Sequence, residues 1–311
     1  MDWLNGAVEL GLLYAFMALG VYITFRILDF PDLTVDGSFT TGGAIAAVLI
    51  TNGVHPLLAT LAAGAGGMLA GACTGLLHTK GRINGLLSGI LMMIALYSIN
   101  LRIMGKPNVS MMGENIVFAS IDPLIIMPFV VIIIKVLLDL FLRTDLGLAL
   151  RATGDNAKMI RSFGVNTDNT IILGISLSNG LVALSGALVS QVSGFADASA
   201  GIGMIVIGLA SVIIGEAIFG AKSVFRATLA VVLGSIVYRI VVALALRVNL
   251  DASDLKLITA IIVIIALVFP SIQRVFKEKS TARKRTAELV AANAKTDAVA
   301  GKRGGGVNAG A

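Results

Sequence analysis

Long apolar stretches without charged residues constrain this chain more than any other feature. Residues Ala44–Leu77 and Leu257–Ile272 contain no Asp, Glu, Lys or Arg, and similar runs recur along most of the sequence. About 20 consecutive apolar residues are enough to cross a bilayer as a helix. With 57% hydrophobic and 14% charged residues, the composition also lies far outside the range of soluble domains. The sequence therefore predicts an all-α, polytopic membrane protein.

The apolar pattern predicts about nine transmembrane helices. They lie at residues 6–27, 36–52, 55–77, 84–104, 121–142, 169–192, 202–219, 224–246 and 255–275. Lys and Arg concentrate in alternate connections, which the positive-inside rule places in the cytosol. We therefore expect an outside N-terminus, a cytosolic C-terminus, a transmembrane domain over residues 1–276 and a basic cytosolic tail over residues 277–311. The tail is too polar to build a core, so we expect it to be disordered.

A polar, basic loop at residues 143–166 interrupts the apolar series, and a short helix is predicted inside it. Asp155 suits the N-cap position, and Gly164 suits the position after the C-terminus. Between them the spacing divides the side chains into an apolar face and a basic face. The apolar face contains Met159, Ile160 and Phe163, and the basic face contains Lys158 and Arg161.

A helix of this length is marginal when isolated in water. Its small apolar face needs a partner, and the loop lies on the predicted cytosolic side. We therefore expect this face to bind a separate protein.

Several polar residues within or beside the predicted membrane segments are candidates for function. Uncharged groups on two helices either line a translocation path or form hydrogen bonds between helices: Tyr97, Ser98, Asn100, Ser178 and Asn179. Carboxylates near the membrane are structural or gating candidates, because burying a charge is costly: Asp32, Asp36 and Glu216. The structural reading of Glu216 is an ion pair with Lys222 or Arg226, or an interaction with a break in the backbone.

Two polar, glycine-containing breaks each precede an apolar helix. The first covers Pro31–Gly43 and the second Gly194–Gly203. Such breaks are tolerated in a membrane only where protein or a water-filled cavity satisfies the backbone. Their similarity hints at an internal duplication of the kind found in transporters, without establishing one.

Several function classes lack the residues they need. The stretch Gly215–Ser223 fails the spacing of a phosphate-binding loop and follows an apolar helix, so ATP hydrolysis by this chain is not expected. His55 and His78 lie on opposite predicted sides, and Cys73 is the single cysteine, so we expect no metal site. No arrangement supports an enzyme, and topology and lipid headgroups explain the basic residues without nucleic acid.

Three stretches resemble one family of transport proteins. Pro31–Ser38 with the following Thr-Thr-Gly-Gly resembles the start of that family's second core helix, and Leu146–Asp168 resembles its cytosolic coupling loop. The family is the branched-chain amino acid and ribose permease superfamily of ABC importers. Gly208–Ile218 is similar to its tryptophan/tyrosine permease subgroup. The resemblance covers roughly residues 5–275.

This resemblance implies a subunit of an ATP-driven importer in the bacterial inner membrane. The implied partners are a cytosolic ABC ATPase, a second permease copy and an extracytoplasmic solute-binding protein. ATP and Mg²⁺ would bind the ATPase, with no cofactor on this chain. The coupling residues would be those of the short helix, from Asp155 to Gly164. The expected solute is small, most consistent with an amino acid, including an aromatic one.

Two other functions stay open from the residues alone. One is a secondary transporter driven by an ion gradient, although few ionisable groups are evident within the membrane segments. The other is a membrane scaffold without transport activity.

Overall fold

A computed structural model describes residues 2–114, 116–117 and 123–247, with single positions at 257, 260, 261, 264 and 268. The described chain is mostly helical. A π-helical segment, Tyr22–Ile27, continues the first helix. The helices are α1 (Asp2–Val21), α2 (Thr34–Thr51), α3 (Pro56–Thr79), α4 (Gly85–Met104), α5 (Pro123–Phe141), α6 (Asp145–Ser162), α7 (Thr167–Ser193), α8 (Met204–Phe219) and α9 (Val224–Leu246).

Six of the described helices are long and apolar enough to cross a membrane: α1 with its π-helical continuation, α3, α4, α5, α7 and α9. The apolar helix α8 has 16 residues, or about 24 Å at 1.5 Å per residue, which is shorter than a ~30 Å hydrocarbon layer. The chain is therefore a multi-pass membrane protein. Eight of the predicted apolar segments coincide with described helices. The segment 255–275 lies almost entirely outside the described residues, and the tail at 277–311 lies wholly outside them.

Local sequence signals determine where these helices begin and end. Side chains of His55, Asn84 and Asn166 accept hydrogen bonds from the first backbone N–H groups of α3, α4 and α7. Gly105 and Gly194 adopt positive φ angles of 67° and 74° at the ends of α4 and α7. Capping and glycine termination therefore account for these five helix boundaries.

Helix α7 lies at the centre of the described bundle and packs against α1, α2 and α3. A stripe of three glycines on α3, Gly67, Gly71 and Gly75, faces α7. A Cβ added to Gly71 would lie 2.5 Å from the Ile175 carbonyl oxygen, so only glycine permits this approach. The stripe is thus a packing surface.

Two three-residue strands modify the all-α expectation. Strand β1 (Asn108–Ser110) pairs antiparallel with β2 (Phe195–Asp197), with Val109 opposite Ala196. Three residues are too few for an alternating pattern to reveal a strand in the sequence. Because α7 runs from the end of α6 to β2, the pair lies at the end of the bundle remote from α6. We refer to the two ends as the α6 end and the strand end.

Candidate functional site

A cavity of about 250 Å³ lies between α2, α4 and the segment before α8. Three of the pathway candidates, Tyr97, Ser98 and Asn100, line it together with Asp36, one of the structural or gating candidates. Asn100 is fully buried, and its Nδ2 donates to the Gly37 carbonyl oxygen at 3.3 Å. The remaining lining is mostly apolar and includes Met93, Ile94, Ala198 and Ile202. The cavity thus combines a small polar group with an apolar wall.

Asp36 binds the N-terminus of α8. Its Oδ2 accepts from the Gly203 N–H at 2.9 Å, and its Oδ1 accepts from the Ile205 N–H at 2.8 Å. The neighbouring Thr40 hydroxyl accepts from the Gly201 N–H at 3.0 Å. Because these amides have no partner within α8, two side chains of α2 satisfy them, and the Asp36 carboxylate also favours the positive end of the helix dipole. The two breaks seen in the sequence therefore meet here.

Asp32 does not line this cavity and is buried between the start of α2 and α7. Its Oδ1 accepts from the Thr34 N–H at 2.9 Å, and its Oδ2 accepts from Asn179 Nδ2 at 2.7 Å. Ser178 donates to the Gly20 carbonyl oxygen at 2.7 Å. Neither Ser178 nor Asn179 lines the cavity described above, and both are fully buried. Ser178 thus hydrogen-bonds α7 to α1, and Asn179 hydrogen-bonds α7 to the segment that precedes α2.

The predicted short helix is the second part of a longer element. Helix α6 begins after Thr144, whose hydroxyl accepts from the Gly147 N–H at 3.3 Å, and it bends at Asn156, where φ is −160° and ψ is 89°. Asn156 Oδ1 accepts from the Met159 N–H at 3.0 Å. Asn156 therefore caps the second part, and the prediction of Asp155 as N-cap was wrong. Asn and Asp cap equally well, so residue type alone could not choose between neighbours.

The first part of α6 packs tightly against the transmembrane helices. Leu150 is fully buried and Thr153 nearly so. Gly154 lies directly on the π-helical segment, because a Cβ added to it would be 1.8 Å from the Ile27 carbonyl oxygen. Gly147 likewise contacts the backbone at the end of α5. The first part of α6 is therefore in direct backbone contact with the end of α5 and with the π-helical segment that continues α1.

The second part of α6 projects away from the bundle. Phe163 is 74% exposed and Met159 is 51% exposed, while Ile160 is half-buried. Lys158 is exposed, and Gly164 ends the element with φ of 86°. Arg161 is also exposed, but it contacts the neighbouring helix. Its guanidinium donates to the Thr167 hydroxyl and to Asp168 Oδ1, the latter at 3.1 Å, which holds the segment against the start of α7.

A second, polar cavity of about 460 Å³ lies at the α6 end. Arg26, Arg151, Asp155, Glu216 and Lys222 line it. Glu216 Oε1 accepts from Arg26 Nε at 3.1 Å, so its ion pair is with Arg26 rather than with the predicted Lys222 or Arg226. The reason is tertiary, because the ends of the π-helical segment and of α8 are adjacent although 190 residues separate the pair.

A buried ion pair on α5 was not predicted. Lys135 and Asp139 are 4% and 5% exposed and pair with each other at i,i+4 spacing. Asp139 Oδ1 accepts from the Thr228 hydroxyl of α9 at 2.7 Å, and Lys135 Nζ lies 3.1 Å from the centre of the Phe225 ring. Two charges four residues apart in the apolar segment 121–142 were a visible signal of such a pair.

Comparison with known proteins places this architecture in a family. The family model described as "Branched-chain amino acid transport system / permease component" matches residues 4–268. The tyrosine transport system permease protein of Clostridioides difficile is 49% identical over 85% of this chain and 90% of its own length. An uncharacterized protein of Rickettsia prowazekii is 37% identical over 86% of this chain and 97% of its own length.

A solved structure supports the fold independently. A chain of the PsaBC complex from Streptococcus pneumoniae, solved with a Fab, superimposes with a TM-score of 0.51. The superposition covers 86% of this chain and 91% of that chain, at 13% sequence identity. Such a distant likeness concerns the fold alone. The family match across the described bundle and the 49% identity show that this chain belongs to the permease family of branched-chain amino acid transport systems.

Proposed function

We propose that this permease is the membrane subunit of an ABC importer that carries an aromatic amino acid, with tyrosine as the first candidate. The relative at 49% identity is named for tyrosine transport. The cavity between α2 and α4 is smaller than the ~300–1,000 Å³ of sites for drug-sized ligands, and its wall is largely apolar. Both features favour a small solute with an apolar ring.

The observation that carries the ATP-driven mechanism is the projecting part of α6. Two large apolar side chains, Met159 and Phe163, are exposed there beside Lys158, at the α6 end of the bundle. An amphipathic helix placed in an apolar groove is a common mode of protein recognition. We assign this groove to a partner ABC ATPase, which would bind ATP and Mg²⁺.

The two parts of α6 would have different roles in coupling. Met159, Ile160 and Phe163 would enter the ATPase groove, and Lys158 would lie at its rim. The first part would transmit the movement through Gly147 and Gly154 to α5 and α1. Asp155 lies in the polar cavity between these elements, beside the Arg26–Glu216 ion pair, and would respond to the same movement.

The rest of the assembly follows from the same assignment. The α6 end would face the cytosol, with the N-terminus outside, in the bacterial inner membrane. A second permease copy would complete the pathway, and an extracytoplasmic binding protein would deliver solute at the strand end. Asp36 and Asp32 would act at the junction of α2 with α8 and α7, where their hydrogen bonds hold these helices together.

Uptake by proteoliposomes tests the proposal. The permease is reconstituted with its ATPase and binding protein, and uptake of L-[³H]tyrosine is measured with ATP inside the vesicles. We expect uptake that requires ATP, that a non-hydrolysable ATP analogue does not support, and that persists with an ionophore. Uptake that is lost with the ionophore but independent of ATP would instead establish a secondary transporter. A complete lack of uptake of any amino acid would favour a scaffold.

A further inference from the structure

The cavity between α2 and α4 is lined by one acidic side chain and no basic one. Among its lining residues, Asp36 is the only one with a carboxyl, amino, guanidinium or imidazole side chain. No ion pair between Asp36 and a basic side chain occurs in the described part of the chain. Two backbone amides of α8 hydrogen-bond the carboxylate, one to each oxygen. Each oxygen retains capacity to accept a further bond. The cavity therefore presents a negative, partly accessible acceptor.

Asn100 supplies a second acceptor on the same cavity. Its side chain is fully buried, and its Nδ2 is occupied by the Gly37 carbonyl oxygen. Its Oδ1 has no hydrogen-bond partner among the described residues. A buried amide oxygen without a partner is unfavourable, so a donor brought by a ligand would be stabilising there.

The same geometry disfavours an anion. The α8 N-terminus would ordinarily attract a carboxylate or phosphate. Here Asp36 already occupies the amides of Gly203 and Ile205. An acidic solute would meet the negative charge of Asp36 without access to those amides. A positively charged donor is the complementary ligand.

We propose that Asp36 and Asn100 bind the protonated amino group of the transported solute in this cavity, with its ring against Met93, Ile94 and Tyr97. This assignment rests on the proposed function, because it takes the cavity as part of the solute pathway. Asp36 and Asn100 are then specificity determinants that require an ammonium group. Ser98, on the same wall, offers a hydroxyl donor for the carboxylate of an amino acid.

Cysteine protection on the purified full-length permease measures this binding without partner proteins. The native Cys73 is replaced by Ser, and Ile202→Cys places a thiol on the cavity wall, where the native side chain is 63% exposed. The rate of modification by uncharged methyl methanethiosulfonate is followed with three ligands. L-Tyrosine has both charged groups, tyramine has the amine only, and 3-(4-hydroxyphenyl)propionate has the carboxylate only.

We expect L-tyrosine and tyramine to slow modification severalfold and 3-(4-hydroxyphenyl)propionate to leave it unchanged. Asp36→Asn retains one of the two side-chain acceptors for the α8 amides and lacks the charge, so protection by both amines is expected to disappear. Asn100→Leu is expected to weaken the protection by L-tyrosine and tyramine. Asp29→Asn is the matched control, because Asp29 is exposed outside the cavity and its φ of 51° suits Asn. This control is expected to retain protection.

Equal protection by the amines and by 3-(4-hydroxyphenyl)propionate would overturn the assignment, and so would no protection by any of the three. Unchanged protection in folded Asp36→Asn would do the same. The comparison of ligands on the unsubstituted cavity needs no Asp36 variant, so it decides even if that variant does not fold. ATP-driven tyrosine uptake that persists beside any of these negative results would leave the proposed function standing and remove only the role of Asp36 and Asn100.

Discussion

At the scale of single residues, Gly154 attaches the first part of α6 to the transmembrane bundle. Its lack of a side chain allows the α6 backbone to lie on the carbonyl of Ile27. The sequence shows a glycine here, but a glycine can equally serve a turn. Only the tertiary structure shows that close packing, rather than a special φ angle, requires it.

Gly154→Ala is therefore expected to displace α6. Overpacking by one methyl group costs about 1–3 kcal/mol, and relief requires the helix to move away from the π-helical segment. Thermal unfolding of the purified permease should show a lowered midpoint, and ATP-driven uptake should fall. Gly6→Ala is the control, since nothing lies within 4 Å of a Cβ at that position. An unchanged midpoint for Gly154→Ala would contradict the contact.

The bend at Asn156 separates the part of α6 that the sequence predicted from the part that it did not predict. The sequence predicted the apolar face, the basic residues and the terminating Gly164 of the second part of α6. It did not predict the preceding helical part, whose Leu150 and Thr153 are buried against other elements. A short amphipathic pattern defines a face, but it does not show which helix covers that face.

At the scale of elements, the buried pair on α5 attaches this helix to α9. Lys135 and Asp139 neutralise each other, and Thr228 and Phe225 of α9 contact their charged groups. Removing one member of a buried pair leaves an uncompensated charge. Replacing both by apolar residues of similar size is far less costly.

Asp139→Leu alone should therefore destabilise the permease strongly, by about 3–5 kcal/mol. The double variant Lys135→Met with Asp139→Leu should recover most of this loss. Thermal unfolding midpoints of the two variants and the unsubstituted protein give the comparison. If the double variant were as unstable as the single one, Lys135 would not be the partner that compensates Asp139.

The Arg26–Glu216 pair also links two elements, but its exposure predicts a different outcome. The Arg26 side chain is 57% exposed, so solvent screens the attraction, and exposed pairs contribute about 0.2–1 kcal/mol. Glu216→Gln should change the unfolding midpoint little. A large change in ATP-driven uptake with an unchanged midpoint would assign the pair a role in transport. A large loss of stability would contradict the expected screening.

At the scale of the whole molecule, the apolar pattern predicted the positions of the apolar helices, but it did not predict how they pack against each other. Eight predicted segments between residues 6 and 246 correspond to described helices. The meeting of the two breaks was not predicted, because Asp36 contacts amides 167 and 169 residues away. Only packing of α2 beside α8 reveals that one break caps the other and that a cavity forms between them.

The central claim, that ATP energy enters through the projecting part of α6, is tested on the whole assembled transporter. ATP-driven tyrosine uptake is measured for the double variant Met159→Glu with Phe163→Glu in reconstituted proteoliposomes. Met112→Glu is the control, because Met112 is 86% exposed beside β1 at the strand end. We predict an unchanged unfolding midpoint and loss of both ATPase binding and uptake in the double variant, with normal uptake in the control. Normal uptake by the folded double variant would contradict the account.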